Sequence, residues 1–317
     1  MGEEAASMGY TTGQRSNAEL TNCLRANFEN AILDSTPPTN GNGAQNGLHP
    51  SRIDYHKWTS PKDTGKTICI PATNYNNAPL QEEREQYDIT TKLFYLPGAS
   101  PSKREEQTRE ALKLVLDELK VPSIDLLIVS FPGIYFDEES EDCPVKISSR
   151  GPAEAEPESL EVQSETWRTL EKLHDEGLIL KLGLSEFGTE RLQPFLENAR
   201  IKPAVNQINL RDCCSVPKPL LSLAKSNGID LLVHNDSSNI LPRGTLRELL
   251  GRGENGAGVL AADGGVGEKR KDREGEASSG GIRGDVEPQW VIKYTAVVQN
   301  RGVVENKGYF AVAEVHG

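Results

Sequence analysis

The sequence predicts an α/β fold, a (β/α)8 barrel of the TIM type carrying disordered insertions. Three observations lead there. Short apolar runs alternate with amphipathic helical stretches, which specifies a parallel sheet with helical crossovers. About seven such units recur, which fits a closed barrel better than an open doubly wound sheet. The length of 317 residues suits one large core with insertions rather than two domains.

The elements follow in order. Between Gln14 and Leu33 the residues Leu20, Cys23, Leu24, Phe28, Ala31 and Ile32 recur at steps of three and four, the spacing of one helix face. Ser35 to Lys66, with TPPTNGNG at its centre, reads as a loop without a buried element. Residues 1–66 are therefore expected to be an N-terminal helix and flexible linker, and 67–317 the barrel. TICIP (Thr67 to Pro71) and ITTKLFYLP (Ile89 to Pro97) read as short buried strands. Lys103 to Lys120 reads as a helix with Ala111, Leu112, Leu114, Val115 and Leu119 inward. Strand IDLLIVSFP, helix Ser164 to Glu176, strand LILKLGLSEF and helix Thr189 to Ala199 continue the alternation. Strand PAVNQINL, helix Pro217 to Asn227 and strand GIDLLVHND extend it, and KGYFAVAEV closes the chain as a final strand. Two low-complexity insertions interrupt the pattern: an acidic, turn-rich one at about 137–161, and a glycine-rich one at about 251–284 around EKRKDREGE.

Charge narrows the function. The formal net charge of −12, from 47 acidic against 35 basic residues, repels phosphate backbones, so nucleic acid is not an expected partner. No apolar run approaches the roughly 20 residues that span a bilayer, and MGEEAASMGY lacks the basic and apolar regions of an export signal. The expectation is a cytoplasmic protein without a membrane anchor. Cys23, Cys69, Cys143, Cys213 and Cys214 show neither CxxC spacing nor neighbouring histidines at zinc-ligand intervals, so they read as reduced thiols and no metal is expected. Cys213 and Cys214 are adjacent, and Cα atoms about 3.8 Å apart are too close for the usual disulfide, so an oxidised member would find its partner elsewhere.

KLFYLP, IDLLIVSFP, LGLSEF, VNQINL and the late RGVV resemble the aldo-keto reductase barrel. More narrowly, VNQINLRDCCSVPKPLLSLAKSNGIDLLVHND and WVIKYTAVVQNRGVVENKGY resemble the regulatory (modifier) subunits of glutamate-cysteine ligase. The resemblance covers roughly Ile89 to Tyr309 apart from the insertions and is strongest from Val205 to Asp236. It implies a non-catalytic subunit that forms a heterodimer with the catalytic subunit in glutathione synthesis. Such a subunit improves apparent glutamate affinity and relaxes feedback inhibition by glutathione.

The reductase chemistry can be checked residue by residue. A working aldo-keto reductase uses a tyrosine as proton donor, a lysine and an aspartate to tune it, and a histidine to orient the carbonyl, with hydride from a nicotinamide. Lys92 sits where the family's lysine stands, but Ser130 in IVSFP replaces the family's histidine and cannot supply an imidazole's charge or reach. No DTAxxYG-like segment precedes Lys92, and the adjacent Asp54 and Tyr55 would point to opposite sides of an extended chain. Catalytic residues are therefore not expected, Lys92 being at most a remnant. A reductase with a degenerate, rearranged site that uses NADPH is the alternative.

Ser185 and Gln207 match positions that touch the nicotinamide amide in reductases, but Glu186 replaces the asparagine expected next, and Arg301 and Lys307 lie near the family's 2′-phosphate loop. Two readings stand: these residues serve packing and solvation, or residual NADP binding survives. No cofactor is the leading expectation. His234, at a strand end, reads as a structural hydrogen-bonding group and His174 as a helix C-terminal residue. For Cys213 and Cys214 the plain reading is loop packing. The resemblance adds a second, in which one thiol faces the catalytic subunit and forms an intersubunit disulfide under oxidising conditions.

Overall fold

A computed structural model describes residues 17–35, 53–62, 66–72, 79–136, 155–210, 216–253, 255–261 and 280–317. The chain starts with helix α1 (Ala18–Asp34) and a two-stranded ribbon, β1 (Ser60–Lys62) and β2 (Thr67–Cys69). Then come β3 (Tyr87–Tyr95), α2 (Arg104–Leu119), β4 (Ile124–Ser130), α3 (Leu160–Asp175), β5 (Ile179–Ser185), α4 (Thr189–Asn198) and β6 (Val205–Ile208). Helix α5 (Lys218–Asn227), β7 (Asp230–Val233), α6 (Arg243–Leu250), β8 (Asp285–Val298) and β9 (Val303–His316) complete it.

The main sheet runs β7-β6-β5-β4-β3-β8-β9, with β3 to β7 parallel and linked by helices. The α/β class and the parallel, crossover-linked order agree with the sequence. The count of eight β/α units is not reached among the described residues. Strands β8 and β9 are 14 residues each and are joined by a turn at residues 299–302, and a connection that short permits only antiparallel pairing. Among the described residues the outer strands β7 and β9 do not pair with each other.

Alternation along the strands gives the sheet two faces. On β3, Tyr87, Ile89, Leu93 and Tyr95 join the larger core under α2 to α5, together with Leu127 and Val129 of β4 and Trp290 and Ile292 of β8. Trp167 of α3 anchors this layer: its ring meets Phe195 edge-on at 5.1 Å, and its Nε1 donates to Ile201 O at 2.8 Å. The indole thus buries its apolar area while its N–H stays satisfied.

The opposite face carries Phe94 of β3 and Val291 of β8 and is covered by α1 and α6. Leu20, Phe28 and Ile32, one helical face of α1, are buried there. Each large apolar side chain so buried contributes roughly 1.5–3 kcal/mol.

Several expectations are corrected. The stretch read as an unburied linker contains Trp58, only 3% exposed, whose ring lies 5.9 Å from that of Phe28, so α1 gives it an apolar partner. TICIP is not a buried strand of the barrel. Thr67 is exposed, and β2 pairs with β1 as a ribbon tied to α2 by Lys62 and Glu110 at 3.4 Å. The acidic insertion ends earlier than expected, since Ser159 caps α3 by accepting from Val162 N. Inside the glycine-rich tract Ala257, Val259 and Leu260 are buried against α6, a helix the apolar period did not reveal. Strand β7 is mostly exposed, because it is an edge rather than an interior strand.

Candidate functional site

The alternation that sends Leu93 to the helices sends Thr90 and Lys92 to the other face. There they meet Ile128 of β4, Gln207 of β6, Lys293 and Thr295 of β8, and the loop after β7. Together these groups line a cavity of about 480 Å³, across which α1 lays Ala18 and Glu19. The register explains the clustering: Lys92 stands opposite both Ile128 and Lys293, and Lys293 opposite Tyr309.

Among the charged residues lining the cavity, Lys92 is the most buried, with its side chain 5% exposed. Its Nζ donates to Asp236 Oδ2 at 3.0 Å, lies 3.3 Å from His234 Nδ1, and sits 5.0 Å above the Phe94 ring. Burial pushes its pKa below the ordinary lysine value, and Asp236 offsets part of that push. For Asp236 burial works the other way, yet the charges of Lys92 and Lys293 outweigh it and hold the carboxyl below its usual range. His234 Nδ1 accepts from Asp236 N at 3.1 Å, which assigns the neutral ring proton to Nε2. Nε2 then faces Ser185 Oγ at 3.3 Å, and Glu186 Oε1 at 2.5 Å outside hydrogen-bond alignment.

A second carboxylate completes a chain of alternating charge. Lys293 Nζ reaches Asp236 Oδ1 at 3.6 Å and Glu19 Oε2 at 2.9 Å, while Lys307 Nζ donates to Glu19 Oε1 at 3.1 Å. Burial alone would raise the Glu19 pKa, but the bonds from Lys293, Lys307 and Tyr309 bring it down to about 2. Tyr309 is pushed above the ordinary phenol value by burial and by the Glu19 carboxylate. No tyrosine is among the described residues lining the cavity.

The residues singled out from sequence divide accordingly. Lys92, Ser185 and Gln207 converge on this face, with Ser130 buried at the end of β4. Lys307 reaches only the rim through Glu19. Arg301 lies in the β8–β9 turn, exposed and paired with Glu82 at 2.5 Å. Asp54 caps a short turn by accepting from His56 N at 3.2 Å. Cys213 and Cys214 lie outside the described residues. His234, read as a structural group, is a hub of the network, and Asp236, Lys293, Glu19 and Tyr309 were not anticipated.

At the positions matched to the reductases' cofactor contacts, Ser185 faces His234, Arg301 and Lys307 pair with carboxylates at the surface, and Glu186 turns Oε2 to the Phe136 N–H at 2.6 Å where an amide was expected. Among the described residues no group of His, Cys, Asp and Glu could hold a metal, and no helix is long and apolar enough to cross a membrane.

Residues 72–247 match the model of the aldo/keto reductase family, and the chain belongs to that family. Within that class it is similar both to regulatory subunits and, over shorter stretches, to enzymes such as the glycerol 2-dehydrogenase (NADP(+)) of Hypocrea jecorina, 32% identical over 128 residues, covering 40% of this chain and 38% of that one. It shares 27% identity over 244 residues with the putative glutamate-cysteine ligase regulatory subunit of Schizosaccharomyces pombe, covering 76% of each chain. With the glutamate-cysteine ligase regulatory subunit of Mus musculus it shares 29% over 236 residues, covering 74% of this chain and 69% of the relative. Among solved structures, the aldose reductase of Schistosoma japonicum is 29% identical with a TM-score of 0.34, covering 47% of this chain and 46% of that one. The chain thus spans about half the length of that solved reductase.

Proposed function

We propose that this chain is a non-catalytic regulatory subunit that binds the catalytic subunit of glutamate-cysteine ligase as a cytoplasmic heterodimer. The observation that carries the reading is the likeness, over about three quarters of the chain, to proteins named as that subunit. The site supports it. A lysine at the family's position is committed to Asp236 and His234, and no tyrosine lines the described cavity to give a proton to a carbonyl.

The regulatory effect, tighter apparent glutamate binding and weaker glutathione inhibition, requires the subunit to bind the competent state of the enzyme more tightly than the inhibited state. The first interface candidate is the loop with Cys213 and Cys214, and the second is the C-terminal strand. Exposed Val303, Val304 and Val315 on β9 support the second surface, and Leu232 and Val233 on the edge strand β7 give a further exposed apolar edge. Affinity purification of the full chain from its native cell tests the proposal. A stoichiometric ligase subunit supports it, and its absence counts against it.

The second reading, an NADPH-dependent reductase with a degenerate site, draws on the Lys92 and His234 pair in one cavity. NADPH titration by fluorescence followed by an aldehyde-reduction assay separates the two, since turnover that depends on Lys92 belongs only to the enzyme.

A further inference from the structure

Glu19 is separated from its partners by almost the whole chain, yet both its carboxylate oxygens are held by cations. Lys293 takes Oε2 and Lys307 takes Oε1. Tyr309, opposite Lys293 in the hairpin register, also holds the Glu19 pKa down. All three partners project from one face of the β8–β9 hairpin, since Lys293 pairs with Tyr309 and Thr295 with Lys307 in its register. Two ammonium groups and a phenol focused on one carboxylate make a receptor for that group, and here the receptor is filled from within the chain.

Inward from it the cavity continues to Gln207, whose Oε1 is buried without a hydrogen-bond partner. A buried acceptor left unpaired is costly and marks a place for a donor. The about 480 Å³ available lies within the range of small-molecule sites. Glu19 is in the first turn of α1, where Asn17 makes no side-chain capping bond; Leu20 beside it is buried with Phe28 and Ile32, so an exchange at the site moves the Glu19 side chain while the helix stays seated.

We propose that Lys293, Lys307 and Tyr309 form a carboxylate-binding site at the mouth of this cavity. Glu19 occupies it as an intramolecular ligand, and a small amino-acid-like carboxylate enters by displacing Glu19 and giving its N–H to Gln207. This inference does not rest on the ligase reading, because it concerns the isolated chain.

Free L-glutamate is the direct probe, as it offers the occupant's own side chain together with an ammonium group. Glutarate, which lacks the amine, is the comparator. A tethered carboxylate competes at an effective concentration in the millimolar range, so Glu19→Gln is expected to bind L-glutamate at least roughly tenfold tighter than the unaltered chain by calorimetry. Adding Lys293→Met to Glu19→Gln is expected to abolish the heat, and glutarate is expected to bind more weakly than L-glutamate. Equal affinities of the unaltered chain and Glu19→Gln overturn the proposal, as do binding that survives Lys293→Met or no heat from Glu19→Gln. Should circular dichroism show Glu19→Gln unfolded, Glu19→Asp keeps the charge with a shorter reach, and an affinity no tighter than that of the unaltered chain has the same consequence.

Discussion

Lys92 Nζ lies 3.0 Å from Asp236 Oδ2, and the two side chains are 5% and 17% exposed. The strand lysine of this reductase-family chain is therefore held by a carboxylate beyond β7. Breaking such a pair leaves one buried charge uncompensated. Lys92→Met is expected to destabilise the chain by about 3 kcal/mol, the low end for a broken buried pair because Asp236 keeps Lys293. Urea unfolding measures this. Adding Asp236→Asn should cost less than the sum of the two single changes, whereas simple additivity would show that the pair is not coupled.

Trp58 and Phe28 join the segment before β1 to α1. Trp58→Ala removes a large buried ring and is expected to cost about 3–5 kcal/mol. Hydrogen exchange should rise first in α1 and leave α2 to α5 protected. Uniform loss of protection would mean that α1 and the main sheet open as one unit.

Glu19 gives a pH dependence with a defined sign. Its pKa falls from the ordinary 4.5 to about 2 in the folded chain, so the stabilisation it lends α1 is present above pH 4.5 and is lost as pH falls towards about 2. Trp58 emission followed by acid titration is expected to report α1 loosening in that window. In Glu19→Gln the difference from the unaltered chain should already be present at neutral pH and should shrink across the same interval.

The cysteine reading has its own test. Non-reducing electrophoresis of the co-purified complex is expected to show a mixed-dimer band that disappears when Cys213 and Cys214 are both changed to Ser. An unchanged band removes these thiols from the interface.

How much of this was legible beforehand follows from the range of each interaction. Strands β3 to β6 and helices α2 to α5 were readable because each element's own apolar spacing encodes the face it buries. The antiparallel β8–β9 hairpin was hidden, since a run such as WVIKYTAVV fits a parallel or an antiparallel strand equally. Lys92 and Gln207 could be named from motifs on single strands. Their partners could not: Glu19 and Lys293 are brought together by tertiary register across most of the chain, and nothing near either residue signals the other. The HND tripeptide after β7 was the one local clue to His234 and Asp236, since strand ends on a barrel collect polar site groups.

As a regulatory subunit, this member of a reductase family would act on another enzyme. The most direct measurement is the glutamate saturation curve of the glutamate-cysteine ligase catalytic subunit, at fixed glutathione, with and without the full chain. Adding the chain is expected to lower the apparent KM for glutamate and to weaken glutathione inhibition. An unchanged curve, together with NADPH-dependent aldehyde reduction that is lost in Lys92→Met, would contradict the regulatory role.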